Sequence, residues 1–288
     1  MNIKNLEEWS FNVFSFNKDE LVGVVFEMFQ RRGLIQVLGI NKDHFLSFIQ
    51  SVKDNYLENP YHNFHHGTSV LQFIYKMDND GAFLNTLEQD ERFALMLAAL
   101  CHDVAHPGKN ASYHKKRLSE IYERFGSIST LEKYHAEVTL TLLDDPDYDL
   151  LEGLDRDRLE CLIKQYILAT DMNLHSEYLK KIRDGEFEEP LHSGIIAIKC
   201  ADLGLLVRDK PITEKWIRSL HKEQYLQREL EVQKGIAEDV TDEDFIRSVL
   251  REQELFISKY ANPIYEELGN TFPCFKELKK HLQNPIIS

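Results

Sequence analysis

Two histidine pairs and two aspartates stand out in this 288-residue sequence because of where they fall. The run from Phe93 to Leu100 is apolar on every side, the mark of a buried helix. It leads straight into His102, Asp103 and His106, within the stretch CHDVAHPG at 101–108. A second apolar run, Ile195 to Leu203, is interrupted by Asp202, too deep in the run to be its N-cap. His62 and His66 are four residues apart just after Pro60 and share one face if that segment is helical. Buried ionisable groups are costly unless they are paired or bind a metal. Taken singly, each reads as an ordinary satisfied residue. Together, neutral imidazoles and carboxylates suit zinc and similar divalent ions. Helical bundles build such centres from side chains on separate helices. The zinc-protease pattern H-E-x-x-H, the phosphate loop G-x-x-x-x-G-K-[ST] and the nucleophile elbow G-x-S-x-G are absent.

The elements that must position these residues read as helices. Lys18 to Arg31 carries a 3.6-period stripe of Leu21, Val24, Val25, Met28 and Phe29. Asp43 to Tyr56 repeats it, and 62–77, 90–102, 129–143, 155–169, 175–183, 190–206, 211–231 and 241–268 follow. Breaks fall at Asn59-Pro60, Pro107-Gly108, Asp145-Pro146, Lys210-Pro211 and Asn262-Pro263. Clean alternation is hard to find, so an all-α, compact multi-helix domain covering 1–288 is the simplest reading. With 43% hydrophobic residues the chain can bury a substantial core. A net charge of -14 argues against wrapping a nucleic-acid polymer, though a bound metal can reverse the potential locally for a small anion. No apolar run reaches the ~18–20 residues of a membrane span, and the N-terminus lacks a signal peptide's apolar stretch. Cys101, Cys161, Cys200 and Cys274 are scattered through apolar runs and read as buried reduced thiols, which places the chain in the cytoplasm.

The stretches NPYHNFHHG (59–67), CHDVAHPG (101–108), STLEKYH (129–135), ILATDM (167–172), CADL (200–203) and REQELFISKYANPIY (251–265) resemble, in order and spacing, the successive motifs of the class I cyclic nucleotide phosphodiesterase catalytic domain. The resemblance covers about residues 20 to 275. It implies an all-helical catalytic domain with a two-metal site at the bottom of a central pocket. It places a tight ion, zinc in the family, on His66, His102, Asp103 and Asp202. Asp103 would bridge to a second ion, magnesium or manganese, whose waters His106, Glu132 and Thr170 would hold. His62 would be the general acid, oriented by Glu223. Gln253 would hydrogen-bond the purine, Phe256 would stack on it, and Leu220 would close the clamp from the other side. The implied reaction is hydrolysis of a cyclic purine nucleotide (cAMP, cGMP or both) to the 5′-monophosphate by a metal-bridging hydroxide. The chain would then be a cytosolic catalytic piece, with any regulatory domain, membrane association or homodimer outside what the sequence displays.

The chemistry needs residues of these kinds. Two metals about 3.5–4 Å apart can activate water and bind the phosphoryl oxygens. The departing sugar 3′-oxygen needs a proton, which a histidine beside a carboxylate can supply. Gln253 joins the apolar face of 241–268 with Val249 and Phe256, and an amide there must find hydrogen bonds. It finds them either on a purine, whose stacking contributes about 1–3 kcal/mol, or on a neighbouring carbonyl with Phe256 as plain core. Ser129-x-x-Glu132 reads as a capping box, so Glu132 either starts its helix or also faces a metal-bound water. Tyr61 is either packing or a nucleotide contact. His65 reads as a surface or packing residue, His135 as support behind the site, and Asp171 as structural. Gly67 stands where the family commonly has alanine, a sterically mild exchange that loosens a helix. Leu205, where several family members are polar, leaves the purine edge less well read. Base choice turns on which way the Gln253 amide points, and the sequence alone leans to cAMP or to dual use. Two further readings use the same residues: a helical His-Asp phosphohydrolase of another phosphoester, independent of Gln253 and Phe256, and a non-catalytic nucleotide-binding module.

Overall fold

The computed structural model describes residues 3–282 apart from 4, 81–82, 187–188, 273–274, 277 and 280–281, so Cys274 lies outside the described residues. Among the described residues there are helices and turns and no strand. In chain order the helices are α1 (Lys18–Arg31), α2 (Leu34–Val37), α3 (Lys42–Asn55), α4 (Phe64–Asn79), α5 (Gln89–Cys101), α6 (Ala111–Arg117) and α7 (Glu120–Phe125). There follow α8 (Thr130–Leu143), α9 (Arg156–Leu168), α10 (His175–Arg183), α11 (Pro190–Asp202), α12 (Lys210–Gln233), α13 (Asp242–Phe256) and α14 (Asn262–Thr271). Asparagine begins several of them: the Asn17, Asn41 and Asn63 side chains each accept backbone N–H bonds from their own first turn.

The apolar run that ends in CHDVAHPG is α5, and every residue from Phe93 to Cys101 is buried. Helices α4 and α9 flank it, and α11 packs on α4, α5 and α9. The three helices that carry the candidate ligands therefore contact one another, and the start of α4 and the ends of α5 and α11 come together. The stretch Pro190–Val207 reaches 18 residues with a mean hydropathy of 1.4, long and apolar enough for a span by composition, contrary to the sequence reading. Inside the fold 72% of it is buried, as befits a core helix. Cys101 and Cys200 are buried as expected, whereas Cys161 is exposed on the outer side of α9.

Three local features differ from the periodicity reading. Helices α6 and α7 are short and polar, burying only Tyr113 and His114 between them, so no apolar stripe announces them. The helix read as 241–268 is broken by a π turn, Ile257–Ala261, directly after Phe256. Pro263 lacks an N–H and its ring crowds the carbonyl one turn back, so the regular ladder cannot run through. Gly67 is not a mild exchange. A Cβ there would lie 2.6 Å from the Leu100 carbonyl oxygen and 2.6 Å from the Tyr56 hydroxyl. Those two atoms are hydrogen-bonded to each other at 2.8 Å, next to the ligand-bearing end of α5. Gly67→Ala should therefore destabilise the fold by about 1–3 kcal/mol through overpacking. Thermal melting checks this: the melting point should fall, and adding Tyr56→Phe should recover part of the loss. An unchanged melting point in the single variant would show that α4 and α5 can separate freely.

Candidate metal centre and adjoining cavity

The segment before α4 sets the first pair of histidines. Asn63 Oδ1 accepts the backbone N–H groups of His65 at 3.0 Å and His66 at 3.2 Å, while its amide nitrogen donates back to the Asn59 carbonyl at 2.8 Å. This cap places His66 in the first turn of α4 and leaves His62 outside the helix. The two rings stand edge to face, 5.8 Å apart, so they do not share a helix face as the spacing suggested. Asn59 also ties the two motifs together by donating to the carbonyls of His62 at 2.9 Å and His106 at 2.6 Å. Gly108 makes that approach possible. Its φ is +66°, and a Cβ would lie 2.5 Å from the Asn59 side-chain oxygen.

Four donor atoms converge where the helix ends meet. His66 Nε2 lies 3.2 Å from His102 Nε2 and 3.3 Å from both Asp103 Oδ2 and Asp202 Oδ1. His102 Nε2 lies 3.1 Å from Asp103 Oδ2 and 3.4 Å from Asp202 Oδ1. Ligands about 2.0–2.1 Å from a tetrahedral ion are ~3.3 Å from each other, so the set fits a divalent metal. The His102 Nδ1–H donates to the Ala99 carbonyl at 3.0 Å, which leaves Nε2 as the nitrogen available to a metal. The electrostatics agree. Burial alone would raise both carboxyls, but the His102 and neighbouring imidazoles hold Asp103 and Asp202 well below the usual carboxylate range. Burial opposes charge on His102, yet the Asp103 carboxylate beside it raises its pKa well above the ordinary value. A field that draws a proton this strongly also draws a metal cation. Asp202 sits on the last residue of α11, where the helix dipole disfavours an anion unless a cation offsets it.

Around Asp103 lies a second polar ring. His106 accepts the Gly108 N–H at Nδ1 (3.0 Å), so its other nitrogen is a donor and not a metal ligand. Burial, reinforced by the His62 charge, keeps it neutral. His135 donates from Nδ1 to the Val104 carbonyl at 2.8 Å, leaving Nε2 as a buried acceptor 3.7 Å from Asp103 Oδ1. Burial pushes its pKa down to about 4. Glu132 lines the same space, and burial pushes its carboxyl up to about 7. It is not part of a capping box. Ser129 has left-handed backbone (φ 48°) and makes no cap bond; its hydroxyl donates instead to Asp171 Oδ2 at 2.7 Å. Thr170 uses its hydroxyl hydrogen on the Ile167 carbonyl, 2.8 Å away, which leaves its lone pairs as acceptors.

His62 is fixed by Glu223 on α12. The ring Nδ1 is 2.5 Å from Glu223 Oε1, and Oε2 accepts the backbone N–H groups of Tyr61 at 3.0 Å and His62 at 3.1 Å. Burial opposes a charge on His62, but Asp103 and then Glu223 outweigh it and raise the pKa. The ring stacks on His106 with centroids 3.8 Å apart. A cavity of about 510 Å³ joins these groups to Leu205, Leu220, Val249, Gln253 and Phe256, a size that holds a small ligand. Tyr61 is buried against the His62, His66 and Trp216 rings and also reaches the cavity. His65 is half-buried, with Nε2 on the Phe16 carbonyl at 3.0 Å, a packing role as expected.

Two residues that sequence reasoning missed join this site. His221 Nε2 lies 3.0 Å from Gln253 Oε1, so the ring donates to the amide oxygen; nothing local in the sequence signals it. Lys199 is buried three residues before Asp202, and burial lowers its pKa to about 8. Its signal was available, because a lysine inside an apolar helix is as stranded as the aspartate that follows.

The profile of the 3'5'-cyclic nucleotide phosphodiesterase family matches residues 61–282. The human high affinity cGMP-specific 3',5'-cyclic phosphodiesterase 9A is 29% identical over 96% of this chain and 48% of its own length. The 3',5'-cyclic-nucleotide phosphodiesterase regA of Dictyostelium discoideum is 28% identical over 92% of this chain and 35% of its own length. The chain thus spans about half or less of the length of these curated relatives. Among solved structures, the phosphodiesterase domain of Salpingoeca rosetta rhodopsin phosphodiesterase superposes with a TM-score of 0.89 at 26% identity, covering 97% of this chain and 89% of that one. Ligand cluster, histidine–glutamate pair and sequence matches thus lead to one conclusion: the chain belongs to the 3',5'-cyclic nucleotide phosphodiesterase family.

Proposed function

We propose that this chain, as one catalytic domain, hydrolyses a purine nucleoside 3′,5′-cyclic monophosphate to the 5′-monophosphate. The observation that carries the reading is a single cavity joining Asp103 and Asp202 of the four-donor cluster, the His62–Glu223 pair and the Gln253–Phe256 wall. Zinc suits the nitrogen and oxygen donors of His66, His102, Asp103 and Asp202. Magnesium or manganese suits a second position with one protein carboxylate and otherwise water. Asp103 supports both, because Oδ2 faces the imidazoles of the first set and Oδ1 lies toward His135. Bound there, the ions supply Lewis acidity at the phosphoryl oxygens and a water of lowered pKa. His106 offers a donor around the second position, and Glu132 and Thr170 offer acceptors. His62 gives its Nε2 proton to the departing 3′-oxygen, while Glu223 holds Nδ1–H and stabilises the charge. Phe256 provides the stacking face, with Leu220 and Tyr61 completing the walls.

The base we assign is guanine. His221 Nε2 lies 3.0 Å from the Gln253 oxygen, which couples the orientation of the amide, and so the base edge it complements, to this histidine. Guanine carries an acceptor at the 6-position, where adenine carries an amine. The human phosphodiesterase 9A relative is named as cGMP-specific, which supports the same choice. Product analysis with each cyclic nucleotide tests the reaction: 5′-GMP should form in metal-replete enzyme, and absence of any 5′-monophosphate would sink the proposal. The kcat/KM ratio should favour cGMP about tenfold or more, the free energy of roughly one well-placed hydrogen bond. His221→Leu should bring that ratio near unity with kcat for cGMP within about threefold of wild type. An unchanged ratio would remove His221 from base selection.

A further inference from the structure

Lys199 is a charged residue that the reaction above does not use, yet it is only 2% exposed. Its Nζ donates to the Ala169 carbonyl at 2.9 Å and the Asp171 carbonyl at 3.2 Å. Those two carbonyls flank Thr170. The Asp171 side chain accepts three hydrogen bonds: Oδ2 accepts from the Ser129 hydroxyl at 2.7 Å, and Oδ1 accepts from the Asn173 backbone at 2.8 Å and its amide at 2.9 Å. Ser129 stands in left-handed backbone immediately before α8, the helix that carries Glu132 three residues on. One continuous path of hydrogen bonds therefore runs from α11, one turn before Asp202, through both sides of Thr170, to the head of α8.

We propose that Lys199 is a positioning residue that locks Thr170 and, through Asp171 and Ser129, Glu132 into the water-holding ring of the second metal position. This rests on the two-ion reading above. A purely stabilising role is the weaker account. Losing the donor to two buried carbonyls costs stability, but a purely stabilising role predicts no change in second-site metal affinity. Packing also uses the ammonium, which lies 5.5 Å from the Tyr178 ring centroid as a cation–π contact, but that contact needs no second hydrogen-bond donor. The hydrogen-bonded path to Thr170 and Ser129 does require one, because it needs two donors on one atom at the end of a long stem.

The test uses Lys199→Met, Ser129→Ala and the double variant, each loaded with one equivalent of zinc and titrated with Mn²⁺ by electron paramagnetic resonance. Zinc content should be unchanged throughout. Second-site Mn²⁺ affinity should fall about tenfold in Lys199→Met, the scale of losing an outer-shell partner of a metal ligand. Ser129→Ala should lose less, and the double variant should be no worse than Lys199→Met, since both cut one path. Activity of Lys199→Met should return at high Mg²⁺, with the half-saturating concentration raised by a similar factor. Wild-type Mn²⁺ affinity in Lys199→Met, with only the melting point altered, would overturn the proposal, as would strictly additive losses. A wild-type protein that takes up no second equivalent of Mn²⁺ overturns the two-ion reading and this proposal with it. If Lys199→Met does not fold, Ser129→Ala decides, and unchanged affinity there overturns the path.

Discussion

Asp202→Ala should leave the protein folded, empty of its tight ion and nearly without turnover. The carboxylate contributes one of four donors, and its Oδ1 is 3.3 Å from His66 Nε2 and 3.4 Å from His102 Nε2. Its place at the C-terminal end of α11 is electrostatically poor unless a cation is present. Removing it costs the fold little and costs the ion a charged ligand. We expect zinc content to fall from about one equivalent to a small fraction of it, by elemental analysis after dialysis. We expect kcat/KM to fall at least about a thousandfold, ~4 kcal/mol of transition-state stabilisation. Zinc added to the metal-free wild type should raise the melting point by mass action, and should no longer do so in the variant. A variant with wild-type zinc content and activity would remove Asp202 from the ligand set. Asp202→Asn separates charge from shape: it keeps the volume, and should retain the ion better than alanine but well below wild type.

His62→Ala should behave oppositely toward the metal and similarly toward the reaction. His62 is no member of the four-donor set, so zinc content should be unchanged. Loss of a general acid typically slows a step by about 10²–10⁴-fold, and we expect kcat to fall within that range with KM little altered. The loss should shrink below about tenfold on an aryl phosphodiester, whose leaving group departs without a proton. Equal slowing on both substrates would count against the role. The pH profile gives an independent check. The acid must be protonated, so activity falls as pH rises through the His62 pKa, which Asp103 and Glu223 raise against the opposing effect of burial. Glu223→Gln removes one of those carboxylates and should move the alkaline limb to lower pH. An alkaline limb that stays in place would separate the Glu223 contact from His62 ionisation.

Much of the fold was legible because its causes are local. Lys18–Arg31, His175–Arg183 and the beginning of α11 at Pro190 coincide with the boundaries read from the apolar period. Helices α6 and α7 were not legible, since two polar turns bury almost nothing and leave no stripe. The candidate donor cluster was legible for a different reason. Ionisable residues stranded at the ends of buried helices demand compensation, and His102, Asp103 and Asp202 carry that demand in the sequence itself. Lys199 makes the same demand in the same helix as Asp202.

What the sequence determined by itself is therefore the helical class, the buried ionisable residues that needed compensation, and the face of α13 on which Gln253 and Phe256 stand. Tertiary structure alone decided how those residues are used. His62 owes its orientation to a glutamate 161 positions away. Gln253 owes its amide direction to a histidine 32 positions away. Ser129 gave up a helix cap for a carboxylate 42 positions away, and Gly67 is required by a tyrosine hydroxyl just past the end of α3. The physical reason is common to all four. Periodicity and capping act over a turn or two of chain, whereas hydrogen-bond direction and steric room are set by whichever atoms packing brings within about 3 Å.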